Sequence, residues 1–152
     1  MLSSLDSGDL LMAAEKAKEL KTADADAINA KGVIELRKGN LAEAALLFKK
    51  SGTAEAQHNL GVIDLLNGDY KAAAAKCDGY NKALALLLDG EYEKADEALT
   101  GTDAQSNYLR AVIAARLGRD SVARKYLNAA CEADPALKKR AETDVEFASI
   151  AN

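Results

Sequence analysis

The chain has 152 residues, of which 20 are basic, 24 acidic and one is histidine, giving a formal charge of −4, and this is about the length of one domain. Thirty-two alanines, ten glycines, one proline, no tryptophan and 5% aromatics favour helix over strand and predict an all-α protein. The longest unbroken apolar run, Ala83 to Leu88, has six residues against the roughly 20 that a membrane-spanning helix needs, and no clustered basic patch is present to follow a nucleic-acid backbone.

The first landmark is Gly8-Asp9-Leu10 with Ala13 after it. It reads as a turn and a second helix whose own first helix is missing, so residues 1–23 are expected to be a partial repeat. Met1-Leu2-Ser3-Ser4-Leu5-Asp6 has no basic stretch and no long apolar core, unlike a secretory signal. From here four windows align: Asn29 to Asn40, His58 to Asp69, Tyr80 to Glu91 and Tyr108 to Arg119. Each ends in a glycine followed by a polar or charged residue, at Gly39, Gly68, Gly90 and Gly118. Glycine takes the left-handed conformation that commonly ends a helix, because it has no Cβ to clash. Five residues after every such glycine, Gly8 included, stands an alanine: Ala13, Ala44, Ala73, Ala95 and Ala123. A small side chain there lets a second helix cross close to the first.

The predicted unit is therefore a helical hairpin. Its second helices are expected at Leu41 to Lys50, Tyr70 to Lys76, Tyr92 to Leu99 and Val122 to Glu132, stopped by Gly52, Gly79, Gly101 and Asp134-Pro135. The repeats are read as 24–52, 53–79, 80–101 and 102–133. A capping helix follows over 134–148, with Asp134 as N-cap and with Leu137, Ala141 and Val145 four apart on one side. All of 1–152 is read as one domain. The Lys138-Lys139-Arg140 cluster is followed at once by Glu142, Asp144 and Glu146, which suits a solvated helix face.

Leu60-Gly61 in a first helix, Gly68-Asp69-Tyr70 at the turn and Ala73 in the second helix resemble the tetratricopeptide repeat. The last hairpin resembles it too, through Ala111, Gly118, Ala123, Leu127, Ala130 and Asp134-Pro135. The resemblance covers roughly Asn29 to Pro135 and implies an α-α superhelix of about four hairpins. It departs from the family in two ways. The turn glycines are 31, 29, 22 and 28 residues apart, shorter than the family's period of about 34. Lys31, Lys82 and Arg110 also fill a slot that is usually leucine, which puts the stacking of those repeats in question. The style further resembles tetratricopeptide segments of larger cell-envelope proteins of Bacteroidetes. The expected location is cytoplasmic for a complete chain, and periplasmic or cell-envelope for a segment of a longer exported one.

Chemistry has few parts to work with. His58 is the one histidine, and Cys77 and Cys131 stand apart without a CxxC or Cys/His cluster, so no metal site is predicted. Phosphate-cradling glycine loops are absent as well, and neither cofactor nor enzymatic activity is expected. What the resemblance implies instead is a concave face lined by first helices. Transferring those slots gives Asn29, His58, Val62, Tyr80, Leu84, Leu87, Tyr108, Val112 and Arg116 as candidate contacts for a protein or peptide. The Lys and Asn pairs of the family's carboxylate clamp are absent. Leu84, Leu87 and Leu88 either line this groove or form core, whereas the polar tips of His58, Tyr80 and Tyr108 favour its wet edge. The structural alternative is a spacer or assembly segment of a larger envelope protein.

Overall fold

In a computed structural model the described residues are 4–148 and 150, with side chains described at 12, 15, 16, 18, 19 and from 21 onward. Among them the chain is all-α and has no strand. Among the described residues nine helices follow one another: α1 (Ser4–Arg37), α2 (Leu41–Ser51), α3 (Ala54–Leu66), α4 (Tyr70–Lys76), α5 (Gly79–Leu88), α6 (Tyr92–Ala98), α7 (Ala104–Arg116), α8 (Asp120–Ala133) and α9 (Ala136–Thr143), then a 3₁₀ turn, Val145–Phe147. Consecutive helices pack on one another, as α1 on α2, α5 on α6 and α7 on α8, which is the arrangement of a helical repeat. The chain divides into two compact units, Met1–Ile63 and Asp64–Asn152, the boundary lying within α3.

The four turns at Gly39, Gly68, Gly90 and Gly118 are built alike. Each glycine has φ between +73 and +83. At Gly68, its N–H donates to the Leu65 carbonyl at 3.2 Å while the Asp69 N–H reaches back to Asp64 at 2.8 Å. This pair of bonds satisfies the last carbonyls of α3 and needs a left-handed residue between them. The next helix starts two residues after each glycine, at Leu41, Tyr70, Tyr92 and Asp120. Ala44, Ala73, Ala95 and Ala123 each donate the backbone N–H that closes its first turn, to Asn40, Asp69, Glu91 and Arg119. All four are fully buried, so the expected close crossing is where the sequence places it. Ala73→Leu adds three carbons where none fit and is expected to cost about 1–3 kcal/mol. An unchanged urea midpoint would place Ala73 off the contact face.

Three expectations at element ends change. The first helix does not stop at Gly8: α1 runs unbroken from Ser4 to Arg37, merging the partial repeat 1–23 with the first helix of 24–52. No proline interrupts this stretch and its alanines, lysines, leucines and glutamates are strong helix formers, while an interior glycine costs only about 1 kcal/mol. Met1 to Ser3, and the side chain of Ala13, lie outside the described residues. Next, Gly79 starts α5 rather than ending α4, and Gly101 has no positive φ; α4 and α6 end at extended Cys77 and Leu99. A Cβ on Gly101 would meet Ser106 Oγ at 2.5 Å, so that glycine serves close approach. Finally, the cap does not continue to Ala148.

The capping helix α9 ends at Thr143, and Asp144 is extended with φ −80 and ψ 119. The turn it starts reverses the expected facing. Leu137 is buried as expected, but Val145 is 84% exposed, and Phe147 and Ile150 are buried in its place. Asp134 does cap α9, accepting the Ala136 N–H at 3.1 Å.

In the first unit, α1 and α2 close around Phe48, which packs with Ala44, Ala56, Leu60 and Ile63. Gly32 of α1 lies flat against its ring: a Cβ there would fall 2.5 Å from Cε1. In the second unit the core has two parts. One joins Ala83, Ala95, Leu99, Leu109 and Ile113; the other joins Tyr108, Ala111, Val112, Ala123, Ala130, Leu137, Phe147 and Ile150.

Candidate functional site

The candidate contacts fall into both units, and burial sorts them. In the first, Asn29 is a core residue, since its side-chain oxygen accepts from Asn59 Nδ2 at 3.1 Å and it is 5% exposed. Beside it, Ser51 Oγ donates to the Ala25 carbonyl at 2.7 Å, tying the end of α2 to α1. Asn29 thus positions helices and is not a groove residue. His58 and Val62 are half-buried on α3.

In the second unit α5 and α7 diverge. On α5, Tyr80, Leu84 and Leu88 are spaced by four and share one side of the helix. Tyr80 is 37% and Leu88 48% exposed, with Leu84 half-buried between them. Leu87, one residue off this stripe, packs into both core parts. The choice left open for these leucines therefore splits: Leu84 and Leu87 are partly buried against the core and Leu88 faces water.

On α7 the predicted groove residues are covered. Tyr108 and Val112 are buried, and the reason is the segment after α9. Tyr108 Oη donates to Asp144 Oδ2 at 2.6 Å, and its ring meets Phe147 edge-on with centroids 5.4 Å apart. The polar tip of Tyr108 is satisfied by a carboxylate rather than by water, which corrects the wet-edge expectation. Arg116 is exposed but held, since Nε donates to Glu146 Oε2 at 2.6 Å and Nη2 pairs with Glu146 Oε1. The Arg140 guanidinium lies 4.7 Å from the Tyr108 ring centroid.

Burial, and then the Asp144 carboxylate that accepts from it, push the Tyr108 phenol above the usual tyrosine range. Unfolded tyrosine ionises near pH 10, so this contribution to stability is complete below that pH and is lost as pH rises toward the folded value. Tyr108→Phe is expected to cost about 1.5–3 kcal/mol at neutral pH, as befits a hydrogen bond to a charged group. Its deficit against wild type should narrow above about pH 10. Urea unfolding at pH 7, 9 and 10.5 tests this, and a deficit that stays constant across the three would contradict it.

Arg110, one of the departures from the leucine slot, has a use. Its Nη2 donates to the Leu99 carbonyl at 2.9 Å and to the Gly101 carbonyl at 3.1 Å, and its guanidinium lies 5.1 Å from the Tyr126 ring centroid. The arginine takes up carbonyls left at the end of α6, which is clipped to seven residues. Sequence reasoning also misses a cleft of about 450 Å³ beside α8 and α9, with Leu127, Cys131 and Phe147 inside and Glu132, Lys138 and Glu142 around it. The i, i+4 pair Leu127 and Cys131 was its only local sign. Burial raises the Cys131 thiol, as it does that of Cys77, so both are protonated at neutral pH. Neither forms a disulfide.

Among the described residues no group of three or more His, Cys, Asp or Glu is placed to hold a metal ion, and no helix is long and apolar enough to cross a membrane. In comparisons with known proteins, no family model and no curated protein matches the chain.

Proposed function

We propose that this chain is a non-catalytic interaction module of the tetratricopeptide type, which binds a peptide or a short helix of a partner protein on the face of its first helices. The observation that supports it is the stripe on α5, where Tyr80 and Leu88 are exposed two turns apart with Leu84, partly buried against the core, between them. Apolar and aromatic side chains at i, i+4 and i+8 match the anchor spacing of a partner helix laid along a groove. Tyrosine adds area at low entropic cost and a polar tip, which suits it to carry binding energy.

Photo-crosslinking tests this reading. A benzophenone side chain is placed at position 80 and, as control, at Lys94 on α6, whose side chain is exposed. Position 80 is expected to trap a protein that position 94 does not. That partner, once identified and purified, should bind Tyr80→Ala/Leu88→Ala at least about tenfold more weakly than wild type, the loss of one to two hot-spot contacts. The double variant should keep its helical circular dichroism. Equal capture at both positions, or none at position 80, would overturn the reading in favour of a spacer.

A further inference from the structure

The segment after α9 is seated on α7 by its side chains in a fixed order. Asp144 accepts from Tyr108, Glu146 takes the Arg116 guanidinium through both oxygens, and Phe147 enters the core beside Tyr108 and Val112. Val145, between the two acids, is 84% exposed. The receiving residues, Tyr108, Val112 and Arg116, are i, i+4 and i+8 of one helix and so form one stripe. They correspond in register to Tyr80, Leu84 and Leu88 of α5. A cap that only had to exclude water from the last hairpin would need the phenylalanine but neither acid. Here the two acids are matched by a hydroxyl donor and a bidentate guanidinium, the geometry by which arginine recognises a carboxylate. Asp144 also shapes the segment, since its Oδ1 accepts the Glu146 N–H at 3.0 Å and turns Phe147 inward.

We infer that the Tyr108–Val112–Arg116 face of α7 is a docking site for a short segment of the pattern acid, any residue, acid, aromatic, and that Asp144–Phe147 occupies it in cis as a displaceable strap. This rests on the interaction reading and adds to it the chemistry of the partner. The strap is tethered, so its effective concentration is about millimolar or higher. A partner present at micromolar concentration gains α7 only when the strap is weakened or when the partner also engages α5.

The probe is a fluorescent peptide of residues 143–148, Thr-Asp-Val-Glu-Phe-Ala, titrated by anisotropy against the full chain. Glu146→Ala/Phe147→Ala releases the strap and is expected to bind the peptide at least about tenfold more tightly than wild type, as removal of a tethered competitor predicts. Adding Arg116→Ala should abolish the gain. A folded double variant with wild-type affinity overturns the proposal, and so does a gain that survives Arg116→Ala. Should the double variant lose its helical signal, Glu146→Ala alone decides: a gain of about threefold, the smaller release expected from one lost contact, supports the strap, and none overturns it. Position 80 takes no part in this titration, so a flat result here and a failed crosslink there are distinct failures.

Discussion

Replacing Phe48 by alanine is expected to remove about 3–5 kcal/mol, the range for a fully buried phenylalanine, and with it much of the stability of the first unit. Phe48 is fully buried, and of its four buried partners only Leu60 and Ile63 have side chains long enough to move toward the space the ring leaves. Ala44 and Ala56 are too short, and Gly32 has no side chain at all. The cavity therefore closes only in part, and its remaining volume adds to the lost transfer energy. Urea unfolding followed by circular dichroism would give the loss. Faster hydrogen exchange along α1 and α2 would localise it, and an unchanged urea midpoint would contradict this account of the core.

In the second unit the corresponding position is Ile113. Ile113→Ala is expected to cost toward the upper end of about 2–5 kcal/mol, whereas Ile113→Val should cost about 0.5–1.5 kcal/mol. Two of its four buried partners, Ala83 and Ala95, are fully buried alanines that reach no further whatever their rotamer. Leu99 and Leu109 are left to close the gap. A Val variant that costs nothing, or stabilises, would mean that the site is overpacked rather than filled.

The same economy of side chains explains what could be read from the sequence. The turn at Gly68 and the crossing at Ala73 are local necessities: a left-handed residue and a missing side chain leave their mark within a few positions. The four hairpin turns and the second-helix starts at Leu41, Tyr70 and Tyr92 were legible for that reason, while α8 starts at Asp120 rather than at the expected Val122. Gly8 carried the same mark without the same need, because one glycine is a small cost in a long run of helix formers. The cap failed differently. Counting Leu137, Ala141 and Val145 onto one side assumes that the helix continues through Asp144, and what breaks it there is a bond to Tyr108, 36 residues away in sequence. No window of neighbouring residues contains that information. Asn29 and Arg110 were likewise settled by partners on other helices, a side-chain amide in one case and two carbonyls in the other. Tyr80 and Leu88 are exposed on α5, the latter being one of the leucines left open between groove and core, whereas Leu87 packs against the core. Tyr108 and Val112 are buried because the chain covers them itself.

Two kinds of glycine in this fold leave different genetic footprints. At Gly68 nothing lies within 4 Å of where a Cβ would go, so the harm done by Gly68→Ala is confined to the backbone of that one residue, about 1–2 kcal/mol of left-handed strain. No change at a second position can relieve it by making room. At Gly32 the harm of an added methyl is a collision with one identifiable ring. A selection for restored folding should therefore return compensating changes at Phe48 for Gly32→Ala, to leucine or another smaller side chain. For Gly68→Ala it should return only reversion or scattered stabilising changes elsewhere.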